Sequence, residues 1–237
     1  MRRSCCSCRR AYLSFEMTCC DAPPWARQFD DKIAARDLRD YRKHGPAATT
    51  RALIDALLRQ GVQQGTLLDI GGGIGIIQLE LLRAGARAAT SVDASPAYQE
   101  TARNEAERQG LGGRITFQLG DFVDVAPQIP IADIVTLDRV VCCYAEMEPL
   151  VRLSAGRCLR LYGLVYPRDR WLARVVIRVQ NFFRRLWRNP FRSYVHSVAE
   201  MDALIRSLGF TLRHTVRTFV WEVVVYQKDG GRYSSIL

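Results

Sequence analysis

The sequence contains no apolar run of about 18 residues, the minimum for a membrane-spanning helix. Its start, Met1 to Arg10, carries charge but lacks the apolar stretch of a signal peptide. We therefore expect neither a transmembrane segment nor secretion, and a cytoplasmic location follows by default. With 237 residues, of which 48% are hydrophobic, the chain can form one domain with a real core. It is too short for two full catalytic domains.

The eight cysteines show little metal-binding spacing. Cys5 and Cys8 form one C-x-x-C, but no second such pair and no paired histidines follow, so a metal site is not predicted. Because nothing indicates secretion, a disulfide framework is not expected either. We interpret residues 1–27 as a reduced, cysteine-rich extension before a catalytic domain over residues 28–237. The cysteines of this extension are Cys5, Cys6, Cys8, Cys19 and Cys20.

Acidic residues are almost missing between Pro149 and His196. This segment has eleven arginines and one acid, Asp169, which equals the net charge of +10 of the whole chain. Such clustering is typical of a surface that faces an anionic ligand, a membrane or nucleic acid, although a solvated helix face has the same composition. Within it, residues 170–190 alternate apolar residues and arginines at helical spacing. We expect this basic amphipathic insertion to cover the active site, to lie on a membrane surface or to pack on a sheet, and we favour the cover.

Alternating apolar runs and helical patterns predict the fold. Short strands alternate with helices up to about residue 166, and the last two strands follow each other without a helix between them. This pattern predicts an α/β, Rossmann-like domain with a seven-stranded, mostly parallel sheet that ends in an antiparallel hairpin. The predicted strands are Thr66–Ile70, Ala88–Val92, Arg114–Leu119, Asp133–Leu137, Leu161–Tyr166, Thr211–Thr215 and Phe219–Tyr226.

A glycine loop follows the first predicted strand. Gly71, Gly73 and Gly75 form G-x-G-x-G between that strand and a helix, where glycine allows a sharp turn and the close approach of a ligand. The dinucleotide fingerprint G-x-G-x-x-G requires a further glycine, but Ile76 stands at that position. The loop therefore predicts a nucleotide-like cofactor other than a nicotinamide or flavin.

Acidic residues stand at the ends of the first three strands. Asp93 ends the second strand, where a carboxylate can accept hydrogen bonds from both ribose hydroxyls of a cofactor. Asp121 follows the third strand and could accept a bond from an adenine amino group, with Phe122 beside the ring. Asp69 precedes the glycines and could orient the loop or contact the amino group of a methionine moiety. Ser95, rather than Asp93, is predicted to cap the next helix, which starts at Pro96.

These motifs resemble the class I S-adenosylmethionine-dependent methyltransferase superfamily. The resemblance rests on Leu67 to Gly75, Val92-Asp93, Gly120-Asp121-Phe122 and Asp133 to Asp138, and it covers about residues 48–226. It implies S-adenosyl-L-methionine as cofactor. Within the superfamily the chain is loosely similar to magnesium-protoporphyrin O-methyltransferases. The cofactor contacts that the motifs and this resemblance imply are Tyr41, Asp69, Gly71, Gly73, Gly75, Asp93, Ala94, Asp121, Phe122 and Asp138.

In this superfamily the acceptor lies beyond the fourth strand, so residues 138–144 should border the reacting methyl group. Asp138 and Tyr144 are the predicted catalytic residues, and His196 is a weaker candidate that we interpret as a surface histidine. A carboxylate acceptor is already ionised and needs cationic residues rather than a base. We therefore expect a small-molecule methyltransferase, with the carboxylate of a large apolar acceptor as the first hypothesis.

Three alternatives remain at this point. Cys142 and Cys143 resemble the thiol sites of arsenite methyltransferases, and soft thiolates suit a thiol or metalloid acceptor, although the pair would also serve as small buried hydrophobes. The arginines would suit a nucleic-acid methyltransferase. That alternative is disfavoured because Asp138-Arg139-Val140-Val141 stands where Asn-Pro-Pro-Tyr or Asp-Pro-Pro-Tyr is expected. A non-catalytic binder is disfavoured because the glycine loop and Asp93 are intact.

Overall fold

The predicted apolar runs form one sheet in the computed structural model of the chain, which describes residues 28–230. The strands are β1 (Thr66–Ile70), β2 (Ala88–Asp93), β3 (Ile115–Leu119), β4 (Ala132–Asp138), β5 (Cys158–Pro167), β6 (Phe210–Arg217) and β7 (Trp221–Lys228). Their order in the sheet is β3-β2-β1-β4-β5-β7-β6. Neighbours among β1 to β5 pair in parallel, whereas β7 is antiparallel to both β5 and β6. The predicted fold class is confirmed.

Helices pack on both faces of this sheet. They are α1 (Asp31–His44), α2 (Ala48–Arg59), α3 (Ile76–Arg83), α4 (Pro96–Arg108), α5 (Phe122–Val125), α6 (Met147–Gly156), α7 (Trp171–Leu186) and α8 (Val198–Ser207). The segment predicted to be basic and amphipathic forms α7. Side-chain caps mark four of the starts, at Asp30, Ser95, Asp121 and Ser197. Asp30 accepts a hydrogen bond from the backbone N–H of Ile33 (3.0 Å), and Ser95 accepts one from Tyr98 (3.2 Å), as expected for the residue before Pro96.

The core consists of two apolar layers, one on each face of the sheet. Leu67 and Ile134 point into the layer that contains Leu53 and Leu57 of α2, whereas their chain neighbours Leu68 and Val135 point into the opposite layer. This alternation follows from the two-residue period of a strand. It explains why the central strands read as continuous apolar runs, since both of their faces are buried.

Among residues 28–230, no helix has the length and apolar composition needed to cross a membrane. The same residues contain no group of three or more His, Cys, Asp or Glu side chains arranged to hold a metal ion. The predicted cysteine-rich extension, residues 1–27, lies outside the described part of the chain.

Candidate active site

A cleft of about 1140 Å³ opens at the carboxyl ends of β1, β2 and β4. It lies where the strand order reverses between β1 and β4, which is the usual ligand site of an open parallel sheet. Its volume exceeds the roughly 300–1,000 Å³ of pockets that hold one drug-sized ligand. Most of the residues predicted from the motifs line this cleft: Tyr41, Asp69, Gly71, Gly73, Asp93, Ala94, Asp121, Phe122, Asp138 and Tyr144.

The glycine loop is held against the ends of β2 and β4. Gly71 has a φ of +62° and donates its backbone N–H to the carbonyl of Val92 (2.7 Å). A Cβ at Gly71 would collide with Cγ2 of Val140, so the residue must be glycine for both reasons. Gly75 stands apart from this cradle: it lies outside the cleft wall, caps α3 and packs near Ala102 of α4. The contact of Gly75 with the cofactor therefore stays a prediction, beside the structural role of Gly75 at the start of α3.

Asp93 ties the loop to the end of β2. Its Oδ2 accepts the backbone N–H of Gly73 and its Oδ1 accepts that of Ser95, both at 2.8 Å. Burial raises the pKa of Asp93, although the backbone hydrogen bonds oppose this effect. A buried carboxylate therefore stands at the cleft wall beside the glycines, where hydroxyl donors of a ligand would stabilise its charge.

Asp69 is the most deeply buried acid of the cleft. Oδ1 accepts the hydroxyl of Thr136 (2.6 Å) and Oδ2 accepts the amide of Gln78 (3.1 Å). Burial raises the pKa of Asp69 to about 7, and the nearby charges of Asp138 and Asp93 raise it further. Asp69 is thus close to half protonated at neutral pH, and a cation in the cleft would favour its ionised form.

Tyr144 and Asp121, which were predicted for separate roles, form a hydrogen bond with each other. The hydroxyl of Tyr144 donates to Oδ1 of Asp121 at 2.7 Å, and the same oxygen accepts the backbone N–H of Val123 at the start of α5. Burial and the charge of Asp121 raise the pKa of Tyr144 well above its ordinary value. Tyr144 is therefore a fixed hydrogen-bond donor, which does not suit it to act as a base. Phe122 lines the cleft and is otherwise buried in the core.

Asp138 is also engaged. Its Oδ2 accepts the hydroxyl of Thr50 from α2 (2.5 Å), and its Oδ1 pairs with Nε of Arg139 (3.2 Å). Arg139 has a φ of +61°, a left-handed conformation that places its side chain along the cleft. Thr50 was not predicted, because nothing in a helical pattern marks a residue that meets a strand end 88 positions later.

The part of the cleft beyond β4, where the acceptor is predicted, carries two thiols and an arginine. Cys142 and Cys143 both line the cleft, and both thiols donate to the carbonyl of Arg139. The interaction of the two neighbouring thiols lowers the pKa of Cys142 and raises that of Cys143. Arg184 of α7 lies near both thiols, and burial lowers the pKa of its guanidinium. No signal in the sequence distinguished Arg184 from the other ten arginines of the basic segment.

One face of α7 forms a wall of the cleft. Val176, Ile177, Gln180 and Arg184 line it. Nη1 of Arg184 donates to Ser193 (2.8 Å) and Asn181 (3.1 Å), which joins α7 to the segment that follows it. These positions agree with the expected cover over the active site. The apolar side chains that complete this wall are Phe191 and Trp221.

Two further candidates have structural contacts. His196 lies outside the cleft, where its Nε2 is within 2.9 Å of the carbonyl of Tyr144 and 3.2 Å of that of Val141. It therefore braces the loop after β4 and is half-buried, so the surface interpretation was incomplete.

The ring of Tyr41 lines the cleft, but its hydroxyl donates a hydrogen bond to Glu80 of α3 (2.8 Å). Its predicted cofactor contact is thus limited to the ring.

Comparison with known proteins relates the chain to methyltransferases. Residues 67–160 match the family model described as a methyltransferase domain. A ribosomal protein L11 methyltransferase from Erwinia tasmaniensis is 33% identical over 92 residues, which are 39% of this chain and 30% of that protein. The corresponding enzyme from Geobacter metallireducens is 26% identical over 191 residues, which are 77% of this chain and 50% of that protein. The chain thus spans between about a third and a half of the length of these relatives.

Solved structures show the same fold over most of the chain. Magnesium protoporphyrin IX methyltransferase from Synechocystis PCC 6803, with bound SAH, superposes with a TM-score of 0.64 at 19% identity and covers 87% of this chain and 93% of that one. An O-methyltransferase family protein from Burkholderia thailandensis has a TM-score of 0.63 at 18% identity and covers 86% of this chain and 64% of that one.

Proposed function

We propose that this chain, a member of the class I S-adenosylmethionine-dependent methyltransferase superfamily, methylates the carboxylate of a large apolar small molecule. The membership rests on the match of residues 67–160 to a methyltransferase domain and on the class I order of the sheet. S-adenosyl-L-methionine is the cofactor of this superfamily. When bound, it would supply an electrophilic methyl group: the acceptor oxygen would bond to the methyl carbon while the methyl–sulfur bond breaks and S-adenosylhomocysteine leaves. The contacts of Arg184 and its apolar neighbours in the cleft support a carboxylate as the acceptor.

The cleft residues fit this cofactor. Gly71 and Gly73 line the cleft with φ values of +62° and +54°, so the loop presents backbone without side chains to a ligand. Asp93 offers a buried carboxylate for ribose hydroxyls, and Asp121 offers one that Tyr144 already orients. Asp69, whose pKa burial raises to about 7, gains from a cationic ligand such as one with an ammonium and a sulfonium.

The position of Arg184 in the cleft is the single observation that supports a carboxylate as the acceptor. A phenol or amine acceptor requires a base. Tyr144, however, donates a hydrogen bond to Asp121, and Asp138 accepts hydrogen bonds from Thr50 and Arg139. A carboxylate acceptor requires a cation instead. Arg184 presents one at the acceptor side, where burial strengthens its attraction to an anion.

Apolar side chains around Arg184 support a large, flat acceptor. Val176 and Ile177 of α7, Phe191 and Trp221 line the same part of the cleft. Their packing would exclude water from the reacting carboxylate, which favours a displacement between an anion and a sulfonium. Magnesium protoporphyrin IX has these properties, and it is the substrate named for the Synechocystis enzyme that shares this fold.

A methyl-transfer assay tests this proposal. The full chain is incubated with methyl-labelled S-adenosylmethionine and with magnesium protoporphyrin IX or a simpler polycyclic carboxylic acid, each beside its amide. We expect a base-labile methyl ester from the acids and no label on the amides. Arg184→Gln should lower kcat/KM about 10- to 100-fold, the loss of one charge-assisted bond. Arg178→Gln, on the outer side of α7, is the matched control. Base-stable label, or label on an added ribosomal protein, would overturn the carboxylate assignment.

A second candidate is supported by the thiol pair. Cys142 and Cys143 line the cleft next to Arg184, so a soft acceptor such as a thiol or trivalent metalloid could be held there. Both thiols, however, donate to the carbonyl of Arg139, and burial of Cys142 matches that of a core residue. The carboxylate therefore remains the first proposal.

A further inference from the structure

Exposed apolar side chains are concentrated on α7 and on Trp187, which follows it. Of the 13 large hydrophobic residues that the described part of the chain exposes, eight lie between Trp171 and Trp187. Trp171 is 75% exposed, Trp187 73%, and Phe182 and Leu186 64% each, whereas Ala173 is the one buried residue of the helix. Soluble monomers rarely expose apolar side chains in such a contiguous patch. This surface therefore requires an explanation beyond its role as a cleft wall.

The helix divides its surface into three strips. At about 100° per residue, Trp171, Val175, Val179, Phe182 and Leu186 fall within one arc of about 80°. Ile177 and Arg184, which line the cleft, fall on the opposite side. Arg174, Arg178 and Arg185 form a basic strip directly beside the apolar arc. We call the apolar arc and the basic strip together the α7 outer surface.

The charge of the α7 outer surface indicates which kind of partner binds there. The helix contains no acidic residue, and the nearest acid, Asp169, pairs with Arg174 (2.5 Å). A second copy of the chain would bring the same arginines against each other in a two-fold contact, which like charges oppose. Anionic lipid headgroups complement the arginines, while acyl chains accept the apolar arc. Trp171, which lies in the apolar arc at the start of the helix, is of the residue type that prefers the membrane interface.

We propose that α7 is an interfacial helix that docks the protein on anionic membranes, with Phe182 and Leu186 inserted among the lipids and Arg178 and Arg185 on their headgroups. The opposite face of the same helix lines the cleft. On the proposed function, docking therefore brings an acceptor dissolved in the bilayer to the wall of the cleft that receives it. Membrane binding itself does not depend on which acceptor is methylated.

Vesicle sedimentation of the full chain tests the proposal. The probes are phosphatidylglycerol/phosphatidylcholine vesicles and pure phosphatidylcholine vesicles, at low and high salt. We expect at least tenfold tighter binding to the anionic vesicles, weakening with salt. Tryptophan emission should shift to shorter wavelength on binding. Phe182→Ser/Leu186→Ser and Arg178→Gln/Arg185→Gln should each reduce binding at least tenfold. Arg87→Gln/Arg213→Gln removes the same charge away from α7 and should leave binding unchanged.

The contrary outcomes are distinct. No binding to anionic vesicles overturns the proposal, and so does equal loss in the Arg87/Arg213 control, since attraction would then come from net charge alone. Self-association that Phe182→Ser/Leu186→Ser abolishes, without vesicle binding, would assign the surface to a second copy. Calorimetry with S-adenosylhomocysteine separates this proposal from the enzymatic one, because the outer variants should keep wild-type affinity for that ligand even if no acceptor is methylated.

Discussion

The hydroxyl of Tyr144 donates a hydrogen bond to Oδ1 of Asp121 at 2.7 Å, which joins the loop after β4 to the end of β3. Both residues line the cleft, one at its acceptor side and one at its predicted adenine side. The bond keeps Tyr144 protonated and gives Asp121 a fixed direction. It therefore connects the geometry of the acceptor loop to the cofactor side of the cleft.

Removal of this hydroxyl tests whether Tyr144 orients or catalyses. Tyr144→Phe should weaken S-adenosylhomocysteine binding up to about tenfold, or about 1.4 kcal/mol, because Asp121 loses the hydrogen bond that orients it. It should lower kcat by less than tenfold. A loss of 100-fold or more in kcat, the range of a lost general base, would contradict our assignment. Calorimetry and steady-state kinetics supply the two values, with Tyr194→Phe as a control on the same cleft.

Asp93 should control cofactor affinity. Asp93→Asn keeps the shape of the side chain but removes the charge that would accept ribose hydroxyls, so binding should weaken by about 1–3 kcal/mol, or roughly 5- to 150-fold. Asp93→Ala should lose at least as much, because the N–H of Gly73 also loses its partner. Asp124→Asn, an exposed acid of α5, is the control. Unchanged affinity in Asp93→Asn, measured by calorimetry, would exclude Asp93 from the cofactor site.

Asp69 should make the stability of the ligand-free protein depend on pH. Its folded pKa of about 7 lies above its ordinary value, so its contribution is fully present below about pH 4 and is lost as pH rises through about 7. Asp69→Asn mimics the protonated form. The stability of the wild type relative to this variant should therefore fall by a few kcal/mol between pH 5.5 and 8.5. Chemical denaturation at several pH values measures this difference. A difference that does not change with pH would refute the raised pKa.

Gly71 and Gly110 offer a matched pair for the glycine loop. Both have positive φ values, +62° and +71°, but a Cβ at Gly71 would meet Val140, whereas one at Gly110 meets nothing within 4 Å. Gly110→Ala should cost about 1–2 kcal/mol for the left-handed backbone alone. Gly71→Ala should cost more and should also abolish S-adenosylhomocysteine binding. Val140→Ala in the same chain should restore part of the stability. Equal effects at the two positions would show that contact with Val140 is unimportant.

The thiol pair separates the two acceptor hypotheses. On the carboxylate hypothesis, Cys143→Ala should keep turnover within a few-fold, and Cys142→Ala should mainly reduce stability, because Cys142 is buried. Titration with arsenite should leave the tryptophan fluorescence unchanged. Abolished turnover in both variants at wild-type S-adenosylhomocysteine affinity, together with saturable arsenite binding, would favour a soft acceptor instead. Cys158→Ala, a buried thiol outside the cleft, controls for the loss of a core side chain.

Local patterns in the sequence determined the elements and the half of the cleft that is predicted to hold the cofactor. Apolar runs with a two-residue period, the glycine loop and acids at strand ends depend only on near neighbours, so the strands and residues such as Gly71 and Asp93 could be predicted. Small errors arose where a sheet contact decides the boundary. β5 begins at Cys158, three residues before the predicted Leu161, because Cys158 pairs with Ala132 of β4.

Tertiary structure alone decided the acceptor half. Tyr144 meets Asp121 across 23 positions and Thr50 meets Asp138 across 88, and no local pattern records which distant side chains become partners. The same limit applies to α7. Its sequence determined that it is amphipathic and basic, but not which strip faces the cleft. Packing turned Arg184 inward and left Phe182 exposed, because the rotation of a helix about its axis depends on the segments that it contacts.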